Sequence, residues 1–150
     1  MMQRLRRAVD HDAETLLAFQ REAYAHNREL LGVEPLPLLA DYHEIIASKE
    51  CWICETGTRV DGALIIEEEN EALLIWSIAV SPRMQGTGLG GQMLKFAEKR
   101  AHDLGLRQIT LYTGQKLGRN INWYTHHGFR IARLEALSDR NIVHMVKAVS

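Results

Sequence analysis

The chain has 150 residues, 46% hydrophobic and 25% charged, with a formal net charge of −1 at pH 7. A chain of this length buries one core without disulfides, so residues 1–150 are expected to form a single domain. The near-neutral balance excludes a general attraction to nucleic acid or anionic lipid, and no stretch approaches the roughly 18 uninterrupted apolar residues of a membrane span. The opening MMQRLRRAVD has no apolar segment behind its arginines, which makes a cytoplasmic location the expectation.

In chain order, residues 3–9 read as a first strand. Asp10 suits an N-cap, with Asp12 and Glu14 in the first turn, for a helix over 12–28 whose apolar stripe is Ala13, Leu16, Leu17, Ala23 and Tyr24. Gly32, Pro35 and Pro37 break it, and a second helix is expected over 37–48 with Leu38, Leu39, Tyr42, Ile45 and Ile46 on one side. Strands follow at 50–56, 60–68 and 72–80, with turns marked by Gly57, Asp61-Gly62 and Glu69-Asn70. A third helix starts after Gly88, turns Leu89, Met93, Ala97, Ala101 and Leu104 toward the sheet, and ends at Gly105. Strand 107–113, a short helix over 120–127 and strands 128–136 and 141–148 complete the chain. This order predicts an α/β fold, a mixed central sheet of six or seven strands flanked by helices on both faces.

The segment WSIAVSPRMQGTGLGG, residues 76–91, carries the chemistry. Its strand stops at Pro82, which has no N–H for a ladder, and Gly86, Gly88, Gly90 and Gly91 let the backbone approach a ligand at positive φ. The free N–H groups and dipole of the helix that follows favour an anion there. No glycine precedes Lys and then Ser or Thr, which removes the P-loop; Gly86, Gly88 and Gly91 fit the glycines of G-x-G-x-x-G, but the next strand, from about Gln108 to Tyr112, ends without the carboxylate that a dinucleotide fold needs. What remains is R-x-x-G-x-G, satisfied by Arg83, Gly86 and Gly88. Cys51 and Cys54 form the one C-x-x-C; three apart on a strand they face opposite sides, so they read as buried thiols rather than a redox or zinc pair. Adjacent His126 and His127 have no partner at a ligand spacing, and no metal is expected.

With R-x-x-G-x-G at a strand-to-helix turn, and Asn120-Ile-Asn-Trp-Tyr124-Thr-His-His-Gly128-Phe129 downstream, the sequence resembles the GNAT superfamily of acetyl-CoA-dependent N-acetyltransferases. The resemblance runs from LRRAVDHDAETL to the closing strand NIVHMVKAV. It implies an N-acetyltransferase that moves an acetyl group from acetyl-CoA to a primary amine by direct transfer in a ternary complex. It also implies that the fourth and fifth strands splay, leaving the fourth-strand backbone at Ile78, Ala79 and Val80 to bond the pantetheine. Arg83 and the N–H groups of Gln85, Gly86, Thr87, Gly88, Leu89, Gly90 and Gly91 would surround the diphosphate. Asn120 would cap its helix or contact the cofactor, and Lys116 and Arg119 are either contacts for the ribose phosphate or solvated surface.

Tyr124 matches the family tyrosine beside the sulfur and is the expected acid for the leaving thiolate. The fifth-strand place where many relatives carry a glutamate is Tyr112 here. The proton of the amine therefore leaves either through one carboxylate among Glu67, Glu68, Glu69 and Glu71, or through water, which Ser77 is placed to order. A catalytically silent acyl-CoA-binding regulatory module is the alternative, and transfer to a protein N-terminus or lysine differs only in acceptor. Tyr24, Tyr42, Trp76 and Trp123 either line an aromatic pocket or fill the core. A homodimer through the C-terminal strands is expected by the same resemblance.

Overall fold

Seven strands, β1 Leu5–Arg7, β2 Glu50–Thr56, β3 Arg59–Glu69, β4 Ala72–Val80, β5 Gln108–Gly114, β6 Arg130–Ala136 and β7 Asn141–Ala148, form one sheet in the computed structural model, which describes residues 4–149. Their order is β1-β2-β3-β4-β5-β7-β6, and every neighbouring pair is antiparallel except β4 and β5. The helices are α1 Ala13–Ala23, α2 Ala25–Leu31, α3 Tyr42–Ser48, α4 Leu89–Asp103 and α5 Gly118–His126. Among the described residues no helix is long and apolar enough to cross a membrane.

Alternation along the central strands feeds two cores, one on each face of the sheet. Leu16, Phe19, Tyr42 and Ile45 from α1 and α3 meet Ile53, Ala63 and Ile65 on one face. Met93, Leu94, Ala97 and Ala101 from α4, with Tyr124 of α5, meet Leu64, Ile66, Leu73 and Ile109 on the other. Cys51 belongs to the first core and Cys54 to the second, on the opposite faces that their spacing requires. Burial pushes both thiols up to about 11, far from a reactive thiolate.

Several local expectations are corrected. The helix expected over 12–28 breaks at Tyr24 (φ −95, ψ 4) into α1 and α2, and its core stripe includes Phe19 and Gln20. Its entry is held by Asp12 rather than Asp10: the Asp12 carboxylate accepts the Val9 N–H at 2.8 Å. The helix expected over 37–48 is a 3-10 turn at Leu36–Leu39 and a separate α3, because extended Ala40 intervenes and Asp41 caps a new start through the His43 N–H at 3.0 Å. Leu39 is consequently 63% exposed. Asp61-Gly62 lies inside β3, and the turn after it is made by Asn70 and Glu71 at positive φ. Leu104 is 41% exposed because α4 stops at Asp103. There Gly105 (φ 74) reverses the chain, the Leu106 N–H bonds the Ala101 carbonyl at 2.8 Å, and Leu106 takes the buried place.

Candidate active site

The site begins where β4 and β5 part. Their parallel pairing covers only Leu73↔Ile109, Leu74↔Thr110 and Ile75↔Leu111. Beyond it β4 stays bonded to β3 as far as Val80, and β5 stays bonded to β7 as far as Gly114. The parting coincides with a bulge: Ile66 opposes Ile75 and Ile65 opposes Ser77, so Trp76 is the extra residue. The backbone of β4 from Trp76 to Val80 therefore offers its β5-side polar groups to a slot rather than to a neighbouring strand. This slot is a cavity of about 1000 Å³ that passes between the strands and receives walls from both faces of the sheet. Ile78, Ala79, Val80, Gln85, Gly86, Gly88, Leu89, Gly90, Gly91, Asn120 and Tyr124 all line it, as do Lys116 and Arg119 at its exposed mouth.

At its α4 end lies the glycine turn. Only Gly86 and Gly88 need the left-handed region, with φ 82 and 88; Gly90 and Gly91 belong to the first turn of α4, where φ is ordinary. Gly90 lets α5 pack close: a Cβ there would stand 3.0 Å from Trp123 Cζ2, and the indole would have to shift. Gln85 and Thr87 donate their N–H groups to Pro82 and Met84 within the turn, so the expected N–H cradle shrinks to Gly86, Gly88, Leu89, Gly90 and Gly91. Among the described residues these five have no protein acceptor, and α4 has no side-chain cap.

Two residues of the expected set stand off the slot. Arg83 turns away from it: Nη2 donates to Asp61 Oδ1 and to the Val60 carbonyl, both at 2.9 Å. Thr87 is also outside the wall, its hydroxyl bonded to the Met84 carbonyl at 2.6 Å. Asp61 is fully buried, and Thr56 donates to its other oxygen at 2.6 Å. Burial raises the Asp61 carboxyl, but the Thr56 and Arg83 hydrogen bonds outweigh it and leave it below the ordinary carboxylate range. The Arg of the R-x-x-G-x-G pattern thus ties the glycine turn to β3. Asn120 sits two residues inside α5, whose N-cap is Leu117, so it does not cap that helix.

Tyr124 projects from α5 into the slot between Trp123 and Phe129, with ring centroids 5.2 and 5.8 Å away. Its hydroxyl has no hydrogen-bond partner among the described residues, and burial, then the charge of Tyr24, raises its pKa so that it stays protonated at neutral pH. Tyr24, Trp76 and Tyr112 line the slot from the α1 side, whereas Tyr42 is core at 3% exposure. His127 packs its ring 4.5 Å from Trp123, and burial lowers its pKa. Among the described residues no Asp or Glu lines the slot. Glu67 is held by Lys49 at 2.8 Å, and Glu68, Glu69 and Glu71 are exposed.

A buried polar chain missed by sequence reasoning backs the α1 side. Gln20, fully buried, donates Nε2 to Tyr42 Oη and to Ser77 Oγ, each at 3.0 Å, and Ser77 meets Tyr24 Oη at 2.9 Å. Ser77, expected to order a water, is instead a link in this chain. The signal available was a glutamine at a stripe position, four after Leu16 and four before Tyr24, where the helical period calls for an apolar side chain and its polarity kept it off the predicted core.

A protein-family model, the acetyltransferase (GNAT) domain, matches residues 47–131, more than half of the chain. No curated protein sequence matches it. Among solved structures the chain resembles the PaiA N-acetyltransferase of Thermoplasma acidophilum in complex with coenzyme A, with TM-score 0.80 and 16% identity over 99% of each chain. It also resembles the ribosomal-protein-S18-alanine N-acetyltransferase of Escherichia coli, with TM-score 0.77 and 16% identity over 99% of this chain and 95% of that one. A Bacillus subtilis acetyltransferase in complex with CoA gives TM-score 0.73 and 17% identity over 99% and 100%. At these identities the structures speak for the fold, and the family model speaks for descent: the chain belongs to the GNAT acetyltransferase family.

Proposed function

We propose that the protein is an N-acetyltransferase that moves the acetyl group of acetyl-CoA directly to a primary amine within a ternary complex. The observation that carries the reading is the continuity of the open β4 edge, Trp76 to Val80, with the unpartnered N–H groups of Gly86 to Gly91. The first suits the amides of an extended pantetheine arm, and the second a diphosphate. Coenzyme A carries those groups in that order. The solved relatives from Thermoplasma acidophilum and Bacillus subtilis, which hold coenzyme A, support the same reading. Gln85, Asn120, Lys116 and Arg119 are the polar side chains at hand for the phosphates and ribose.

The thioester end of the arm then reaches the tyrosines. A free alkyl ammonium has a pKa near 10.4, so about one amine in a few thousand is nucleophilic at neutral pH and must lose its proton on the way to the amide. With no carboxylate in the wall, water in the slot takes that proton. Tyr124 stays protonated and hydrogen-bonds the sulfur as the C–S bond breaks, passing its proton to the thiolate and regaining one from the solvent path. No cysteine or serine nucleophile is needed, because Cys51 and Cys54 are core and Ser77 is held by Gln20 and Tyr24.

Release of free coenzyme A from acetyl-CoA in the presence of primary amines tests the reading. Amine-dependent release with an acetylated product is expected, and binding of coenzyme A without turnover on any amine would overturn it. We also propose a homodimer through β6, an edge strand exposed along nearly its whole length that carries Ile131 and Leu134 at 53% and 62% exposure. A dimer mass by sedimentation, lost in an Ile131→Glu, Leu134→Glu variant, is the expected result.

A further inference from the structure

The polar chain behind Tyr24 has a direction. The Pro37 carbonyl can only accept, so Tyr42 spends its hydroxyl proton there at 2.7 Å and must accept from Gln20 Nε2. The other Nε2 proton goes to Ser77 Oγ. Flipping the amide would set Gln20 Oε1 against a Tyr42 oxygen with no proton left to give, so Pro37 fixes the glutamine's orientation. Ser77 is 4% exposed, and among the described residues its hydroxyl meets only Gln20, already a donor to it, and Tyr24. The Ser77 proton therefore goes to the Tyr24 oxygen, and the Tyr24 proton is left to point into the slot. Burial pushes Tyr24 up to about 12, so that proton is present throughout the neutral range. Gln20 Oε1, buried and unpartnered, is the cost of holding this direction.

Besides Tyr112 and the α2 side chains of His26 and Asn27, this side of the slot is apolar. Leu30, Leu31, Leu36, Pro37 and Trp76 line it, arriving from α2, the segment after it and β4. Its one strongly buried charge is cationic: Arg140, with a side chain 7% exposed, paired to Asp139 at 2.9 Å. With no carboxylate in the wall, a second ammonium on the acceptor would be desolvated without a partner. A hydroxyl proton aimed into such a space selects a ligand oxygen, and a site built for that bond rejects an analogue lacking it.

We propose that the acceptor is an α-amino compound, an amine whose neighbouring carbon bears a carbonyl or carboxylate oxygen and an apolar body, and that Tyr24 reads that oxygen. The inference rests on the N-acetyltransferase reading and narrows its acceptor. Free amino-acid derivatives and peptide N-termini share this chemistry; polyamines lack the oxygen and carry the extra charge. Gln20 and Ser77 are positioning residues, since they act on the ligand only through the Tyr24 hydroxyl.

The test measures kcat/KM on four probes: phenylalanine amide, a tetrapeptide with N-terminal phenylalanine, phenethylamine and spermidine. At least one of the first two is expected to exceed phenethylamine by about tenfold or more, the worth of one hydrogen bond, with spermidine slowest. Whichever of the two is faster identifies the source as a small molecule or a peptide. In Tyr24→Phe that preference falls toward unity, and in Ser77→Ala it falls by less. A packing role for Tyr24 would instead lower the amide and phenethylamine rates in the same proportion, and that result overturns the proposal. So does spermidine as the fastest probe, or a Tyr24→Phe protein that keeps the preference. Absence of turnover on all four, with coenzyme A still bound by calorimetry, overturns the acceptor class alone. Loss of coenzyme A binding as well overturns the transferase reading beneath it.

Discussion

Valine in place of Gly88 separates the glycine turn's conformational role from its contact with the cosubstrate. Gly88 sits at φ 88, and a Cβ built on it meets nothing within 4 Å. The substitution therefore adds no clash inside the protein, and its cost to folding is the strain of a β-branched residue at positive φ, about 1–3 kcal/mol. A domain stable by about 5–15 kcal/mol stays folded. Gly57, in the β2–β3 turn, supplies a matched control with φ 62, again nothing within 4 Å, and no place in the slot. Gly57→Val should lose similar stability. Only Gly88→Val puts its methyl groups into the proposed diphosphate site and turns neighbouring N–H groups out of line. Hydrogen bonds to a charged group are worth about 1.5–3 kcal/mol, so losing one weakens acetyl-CoA by about tenfold to a hundredfold. Thermal melts and calorimetric titration of both variants measure the two effects. Wild-type acetyl-CoA affinity in a folded Gly88→Val protein would refute the cradle.

Tyr124→Phe should lower turnover by about 10²–10⁴-fold with little change in coenzyme A affinity, and a full-rate variant would remove Tyr124 as the acid. Alanine at Glu67, Glu68, Glu69 and Glu71, one at a time, should leave the pH–rate profile unchanged, because none of these carboxylates lines the slot. A tenfold loss in any one of them, with loss of the acidic limb, would replace water by that glutamate as the base. Asp61 has a folded pKa below its unfolded value near 3.9, so its stabilisation is complete above that value and is lost as pH falls through the folded pKa. Asp61→Asn should therefore cost about 1–3 kcal/mol at pH 7, with the difference from wild type shrinking below about pH 4 in denaturant titrations.

Features set by a few adjacent residues were legible from the sequence. β4 spans the expected 72–80, β7 the expected 141–148, and α4 starts directly after Gly88, because pattern and punctuation coincide at those places. Features set by distant partners were not. Arg83 matches a cofactor motif by spacing, yet a fully buried Asp61 in β3 claims its guanidinium. The break at Tyr24 carries no glycine or proline, and what accompanies it is a contact with Ser77, a residue 53 positions away. Gln20 joins α1 to β4 and to Tyr42 through hydrogen bonds that no local period encodes. Leu104 continues the α4 stripe by spacing but falls past the helix end, where Gly105 turns the chain.

The parting of β4 from β5 as the berth for acetyl-CoA is tested most directly by a crystal structure of the complex. The account predicts the pantetheine amides bonded to β4 backbone between Trp76 and Val80, the diphosphate on the N–H groups of Gly86 to Gly91, and the sulfur within hydrogen-bonding reach of the Tyr124 hydroxyl. Coenzyme A lying outside the slot, or threaded through it with the sulfur away from Tyr124, would contradict it.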